Sequence, residues 1–218
     1  MELVLSIDVG TTNLKVGVVN GSGELLILRK APIPTHSSEQ GAAEHDPQEL
    51  LRLLTDLSRD VVSKFKNKIG YVALSTYHFG LMMVDQEMKP LTGMTILTDI
   101  RAQQTFSKFL EAYEPNSLYE RTGCPSLGQY VLPRLFYFAQ KKPELLKSAS
   151  YFMGCKDFLI HSFTGEFLTE MSIATATQLF NISTCDWDDG LLASLGLSRS
   201  QFPKIVDGMK LLLPIRKD

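Results

Sequence analysis

An apolar run, Leu3 to Ile7, delivers Asp8 straight into a Gly10-Thr11-Thr12 turn, and a second alternating run, Leu14 to Val19, leaves that turn at once. Two strand-length runs so close together predict an antiparallel hairpin. Its turn carries one carboxylate, two hydroxyls and a residue with no Cβ, so the backbone of Gly10 can approach a ligand closely. Successive turn amides form an anion-binding nest, and Thr11 and Thr12 add hydroxyl donors. Asp8 would repel a bare phosphate, so the combination implies a hydrated divalent cation between them. The expectation is a nucleotide triphosphate site. An ordinary hairpin turn has much the same composition, so the case depends on the rest of the chain.

Asn20-Gly21 predicts a type I′ turn into a third strand, Glu24 to Leu28. A Pro-, Ser-, Gly- and His-rich loop follows over 32–45. Asp46 then caps a helix, with Pro47 at its first position and Glu49 at its third. Leu50, Leu53, Leu54, Leu57, Val61 and Phe65 keep helical spacing, so this helix packs on a sheet. Tyr71 to Ser75 and Leu81 to Val84 read as two more strands, which makes five and an α/β domain with a mixed sheet. Helices are expected over Ile100–Tyr113, Tyr130–Gln140, Cys155–Phe163 and Gly190–Leu195, while 168–182 has no clear pattern. The run Phe136-Tyr137-Phe138 reads as core. No segment resembles a linker, so residues 1–218 are expected to form one continuous domain.

Composition narrows the function. With 44% hydrophobic and 21% charged residues, the 218-residue chain can bury a real core. A net charge of −2 without a Lys/Arg-rich run argues against nucleic-acid binding. Neither a leader-like N-terminus nor a membrane-length apolar stretch is seen, and three widely spaced cysteines fit a reducing compartment. The expected location is the cytoplasm, with no membrane partner.

Several blocks in order resemble the N-terminal half of the FGGY family of carbohydrate kinases. Asp8-Val9-Gly10-Thr11-Thr12…Lys15 looks like its first phosphate loop, and Glu44-His45-Asp46-Pro47 like its Glu-x-Asp-Pro helix start. Ala73 to Asp85, containing Tyr77 and His78, resembles its sugar-facing strand pair. Leu97-Thr98-Asp99-Ile100-Arg101 keeps the Asp and Arg of a Trp-x-Asp-x-Arg element, with Leu97 in the Trp position. Arg121 to Pro125, Pro143-Glu144, Phe163 to Glu166 and Trp187 to Gly196 also look like family landmarks.

The resemblance implies a ribonuclease-H-like fold of the actin-like ATPase superfamily, with a helical insertion. It implies ATP and Mg²⁺ as cofactors and a sugar or sugar acid, gluconate- or xylulose-like, as substrate. Gly10, Thr11, Thr12, Asn13 and Lys15 would hold phosphate, with Asp8 positioning the metal through water. Tyr77, His78, Asp99, Arg101 and Tyr130 would face the sugar, Asp99 doubling as a helix cap. The family's general base and Gly-rich adenosine site lie beyond the stretch matched here. The expectation is therefore an N-terminal part, inactive alone, whose tail from Lys210 to Asp218 leads into a further element. A homodimer of the full-length enzyme stays open. The rival readings are an actin- or chaperone-type ATPase and a stand-alone sugar-binding or regulatory module.

Overall fold

The computed structural model describes residues 2–65, 68–208 and 212–216. Of the tail from Lys210 to Asp218 whose onward path was expected, Lys210, Leu211, Lys217 and Asp218 lie outside the described residues. The chain divides into two compact units, Met1–His36 with His45–Tyr77 and Ser37–Glu44 with His78–Asp218, where the sequence reading expects one continuous domain. The chain passes between them without a linker: the 37–44 loop belongs to the second unit although both its flanks belong to the first. Such a division leaves no compositional trace.

The first unit is built on four strands. Strands β1 (Leu3–Val9), β2 (Asn13–Val19) and β3 (Leu25–Pro32) form an antiparallel meander. The short β4 (Glu44–His45) marks the boundary of the units, and helix α1 (Pro47–Val62) follows it. Strand β5 (Ile69–Thr76) then lies parallel to β1, giving the order β3-β2-β1-β5. The sheet is mixed, as expected, because only the β1–β5 link needs a helical crossover.

Alternation of burial along β1 puts Leu3, Leu5, Ile7 and Val9 inside, where Leu14, Val16 and Val18 of β2 join them. Helix α1 packs on β2 and β3 through its buried Leu50, Leu54 and Val61. Asp46 caps it as predicted, its carboxylate accepting from the N–H groups of Gln48 and Glu49 at 2.8 and 2.9 Å. The turn after β2 departs from the expected type I′ form. Asn20 folds its side-chain oxygen onto the N–H groups of Ser22 and Glu24, and the positive φ falls at Gly23, not Gly21. The backbone turn bond from Gly23 N–H to Asn20 O is also made, at 3.0 Å, so the Asn side chain adds to it.

The fifth expected strand, Leu81–Val84, does not extend that sheet. As β6 (Met82–Val84) it belongs to the second unit, and all three of its residues are buried. Next come β7 (Met94–Thr95), a 3-10 helix (Arg101–Thr105), α2 (Phe106–Ala112), α3 (Pro115–Thr122), α4 (Val131–Lys141) and α5 (Pro143–Ser148). Strand β8 (Tyr151–Met153) pairs antiparallel with β6. The continuous helix expected from Ile100 is thus broken into a 3-10 turn and α2.

Helix α6 (Cys155–Thr164) precedes β9 (Leu168–Glu170), α7 (Met171–Thr175), β10 (Phe180–Asn181) and β11 (Asp186–Trp187). The unit ends with α8 (Asp189–Ser194) and β12 (Lys204–Val206), which runs parallel to β9. One apolar core runs through the unit, and α4 is at its centre with Leu132, Leu135, Phe136, Tyr137 and Phe138 buried. The aromatic run read as core is core. The unpatterned stretch 168–182 consists of two short strands around a single helical turn, too short for periodicity to register.

Candidate functional site

In the first unit, the β1–β2 hairpin places Asp8 and Lys15 opposite each other. Lys15 Nζ donates to Asp8 Oδ2 at 2.9 Å, with 46% of each side chain exposed. The turn they flank directs its carbonyls inward. Val9 O accepts from Tyr77 N–H, and Thr12 O accepts from Ile33 N–H. His45, fully buried, donates from Nε2 to Thr11 O at 3.2 Å.

A carbonyl only accepts, so Nε2 carries the proton, and burial lowers the His45 pKa and keeps the ring neutral. Its Nδ1 therefore accepts from the Tyr77 hydroxyl, also at 3.2 Å. Tyr77 is joined to the phosphate-loop candidate through this histidine. Gly10 N–H donates to Asn13 O at 3.0 Å, and a Cβ on Gly10 would press within 3.2 Å of that oxygen. The turn is tight here, and a side chain at position 10 would need that carbonyl to give by a few tenths of an ångström. The Val9, Thr11 and Thr12 carbonyls and the Gly10 N–H are thus taken within the unit.

The remaining expected residues belong to the second unit, in two places. His78 and Tyr130 line a cavity of about 500 Å³ with Phe79, Cys124, Ser172 and Thr175. Phe79 sits at φ 65°, a left-handed conformation unusual for an aromatic residue, and its ring packs edge-on against Tyr130 at 5.2 Å. Burial raises the Tyr130 phenol, with Cys124 adding to the shift, and burial raises the Cys124 thiol as well. Both stay neutral near pH 7. Its lining sets hydroxyls and a histidine among aromatic rings.

Asp99 and Arg101 do not line this cavity. Both are buried, and the guanidinium is enclosed by carboxylates. Its Nε and Nη2 bond Asp99, the latter at 2.7 Å, while Nη1 reaches Glu39 at 2.9 Å and Nη2 also reaches Glu44. Phe138 lies against the guanidinium, 5.4 Å from ring centroid to Cζ. Lys142 bonds Glu39 at 2.6 Å, so two cations face three carboxylates. Burial alone would lower the Arg101 pKa; the bonds to Asp99 and Glu39 outweigh it and raise it. The bond from Lys142 holds Glu39 below the usual carboxylate range.

The helix-capping role expected of Asp99 is replaced by this one. Ile100 stands at the cap without a side-chain bond, while Asp99 takes the N–H groups of Ala43 and Arg101. Leu97, in the expected Trp position, is 47% exposed.

Sequence reasoning missed His45, Glu39 and Lys142 as organising residues. His45 and Glu44 stood inside a quoted motif, so their placement was within reach. Glu39 and Lys142 meet across about a hundred residues of chain, and no local pattern marks them.

Residues 3–216 match the N-terminal domain of the FGGY family of carbohydrate kinases. The chain belongs to that family. It is 24% identical to the gluconokinase of Bacillus subtilis over 204 residues, covering 93% of this chain and 40% of that one. It is 28% identical to the xylulose kinase of Staphylococcus xylosus, covering 94% and 43%. A solved gluconate kinase from Lactobacillus acidophilus superposes with a TM-score of 0.94 at 25% identity, over 99% of this chain and 44% of its own. The chain therefore spans about 40% of the length of the curated relatives it matches. Its fold is that of the actin-like ATPases, as expected. Among the described residues, no helix is long and apolar enough to cross a membrane.

Proposed function

We propose that this chain supplies the phosphate loop and the sugar pocket of an ATP-dependent kinase. That enzyme would transfer the γ-phosphoryl group to a hydroxyl of a ketose or sugar acid. The observation that carries the reading is the Gly10-Thr11-Thr12 turn beside the half-exposed Asp8–Lys15 pair, with the Val9, Thr11 and Thr12 carbonyls bonded within the unit, in a chain of this family. Phosphoryl transfer is chiefly positioning and charge stabilisation. The turn's N–H groups and hydroxyls, with Asn13, would hold phosphate oxygens, and Lys15 would exchange its bond to Asp8 for one to phosphate.

A lone, accessible carboxylate fits hydrated Mg²⁺, which is bound through few protein ligands and keeps its waters. Mg²⁺ would neutralise charge on the phosphates, and Asp8 would orient it through water. In the second unit His78 and Tyr130 would bind sugar hydroxyls, with Tyr77 beside the loop. Asp99 and Arg101, expected as direct sugar ligands, are assigned to holding the backbone that carries the pocket. The general base and the adenosine site would come from the rest of the full-length protein, so this chain alone would not turn over. A cytoplasmic location accords with the reading.

The test is ATP turnover by the full-length protein with and without D-gluconate, D-xylulose and glycerol. Turnover that requires one of the sugars supports the reading. Turnover indifferent to every sugar would favour a chaperone-type ATPase, and sugar binding without turnover would favour a binding module.

A further inference from the structure

Arg134 projects from α4 into the second unit and is 1% exposed. Its Nη1 donates to the carbonyl of Phe79 and to Thr95 Oγ1, the latter at 2.8 Å, and its Nη2 donates to the carbonyl of Ile96 at 2.7 Å. These three acceptors bracket the cavity turn. Phe79 is the left-handed residue beside His78, and Thr95 Oγ1 also takes the N–H of Leu81 just beyond the turn. Ile96 O also accepts the N–H of Asp99, so the same guanidinium joins the turn to the carboxylate cage around Arg101.

A left-handed aromatic residue persists only where its surroundings over-determine it. Here the Phe79 carbonyl is held by Arg134 while its ring is held by Tyr130, the residue at the start of the same helix.

We propose that Arg134 is a positioning residue for the sugar: it clamps the His78–Phe79 turn onto α4 and thereby sets the shape of the cavity wall. It touches no substrate itself. A planar guanidinium spans all three acceptors, whereas a lysine ammonium at the end of a flexible stem cannot fix them in one geometry. The inference rests on the reading that the His78 cavity receives the sugar.

Full-length Arg134→Lys, Arg134→Ala and His78→Ala would be assayed for KM of the accepted sugar, KM of ATP and unfolding midpoint. Arg134→Ala is expected to raise the sugar KM about tenfold or more with the ATP KM unchanged, and Arg134→Lys to rescue part of the loss. Arg134→Lys provides the measurement should the alanine variant fail to fold. An unchanged sugar KM in folded Arg134→Lys, or equal rises in both KM values, would overturn the proposal. His78→Ala separates the failures: if it leaves the sugar KM unchanged, the cavity reading falls and takes the clamp with it. If it raises the sugar KM while Arg134→Lys does not, only the clamp falls.

Discussion

The Asp8–Lys15 pair and the Arg101 cage are both salt bridges, yet they are built for opposite ends. The pair has nearly half of each side chain exposed, and its members bond each other at 2.9 Å. The guanidinium of Arg101 is 4% exposed and meets three carboxylates. An exposed ion pair contributes little and is easily exchanged, because water and salt compete with it. A buried charge removed from its partners is costly, because nothing replaces them. The pair can therefore open to a phosphate, whereas the cage holds one arrangement of the 39–44 loop and the 99–101 segment. The same residue chemistry that reads as binding in sequence divides by burial into an exposed, exchangeable pair and a buried, fixed cage.

The largest expected stability effect is in the cage. Arg101→Met leaves Asp99, Glu39 and Glu44 facing one another without their cation, and should cost about 3–5 kcal/mol in urea unfolding. A loss below about 1 kcal/mol would mean the cage is no stronger than a surface pair.

Next comes Asp157, whose carboxyl burial pushes up to about 6 although Gly154 N–H bonds it at 2.7 Å. With the folded value raised above the ordinary 3.8, both states are protonated at this group below pH 4, and its contribution to stability is greatest there. Between about pH 4 and 6 the unfolded chain ionises first at this group, so its contribution falls as pH rises, by up to about 3 kcal/mol. Asp157→Asn keeps an acceptor for Gly154 and should lack that fall. Unfolding free energies of both proteins from pH 4 to 7 check this, and parallel curves would contradict it.

The smallest effect belongs to the exposed pair. Lys15→Gln should change stability by less than about 1 kcal/mol, and molar salt should shrink that further. A large, salt-resistant loss would make the pair structural and erase the contrast.

Much of the first unit was legible. The strands, the cap at Asp46 and the β1–β2 hairpin obey local rules of periodicity and turn chemistry, and each appears within a few residues of its expected place. The strand count failed at Leu81–Val84, because an apolar run of this length announces a buried strand without naming its partner. The candidate site residues came from the sequence as a set of residue types. What the sequence withheld was which of them share a place: His78 with Tyr130, Tyr77 with Thr11 through His45, and Asp99 with Arg101 in a cage completed by Glu39 and Lys142. Those groupings depend on contacts between distant segments, and nothing in local pattern encodes them.

The most direct test is Asp8→Asn in the full-length protein, with sugar-dependent ATP turnover and the unfolding midpoint measured on the same sample. An exposed phosphate-side carboxylate predicts a fall in kcat of a hundredfold or more, about 3 kcal/mol of transition-state stabilisation, with the midpoint nearly unchanged. Near-normal turnover, or a loss of activity matched by a loss of stability, would contradict the assignment of Asp8 to the phosphate site.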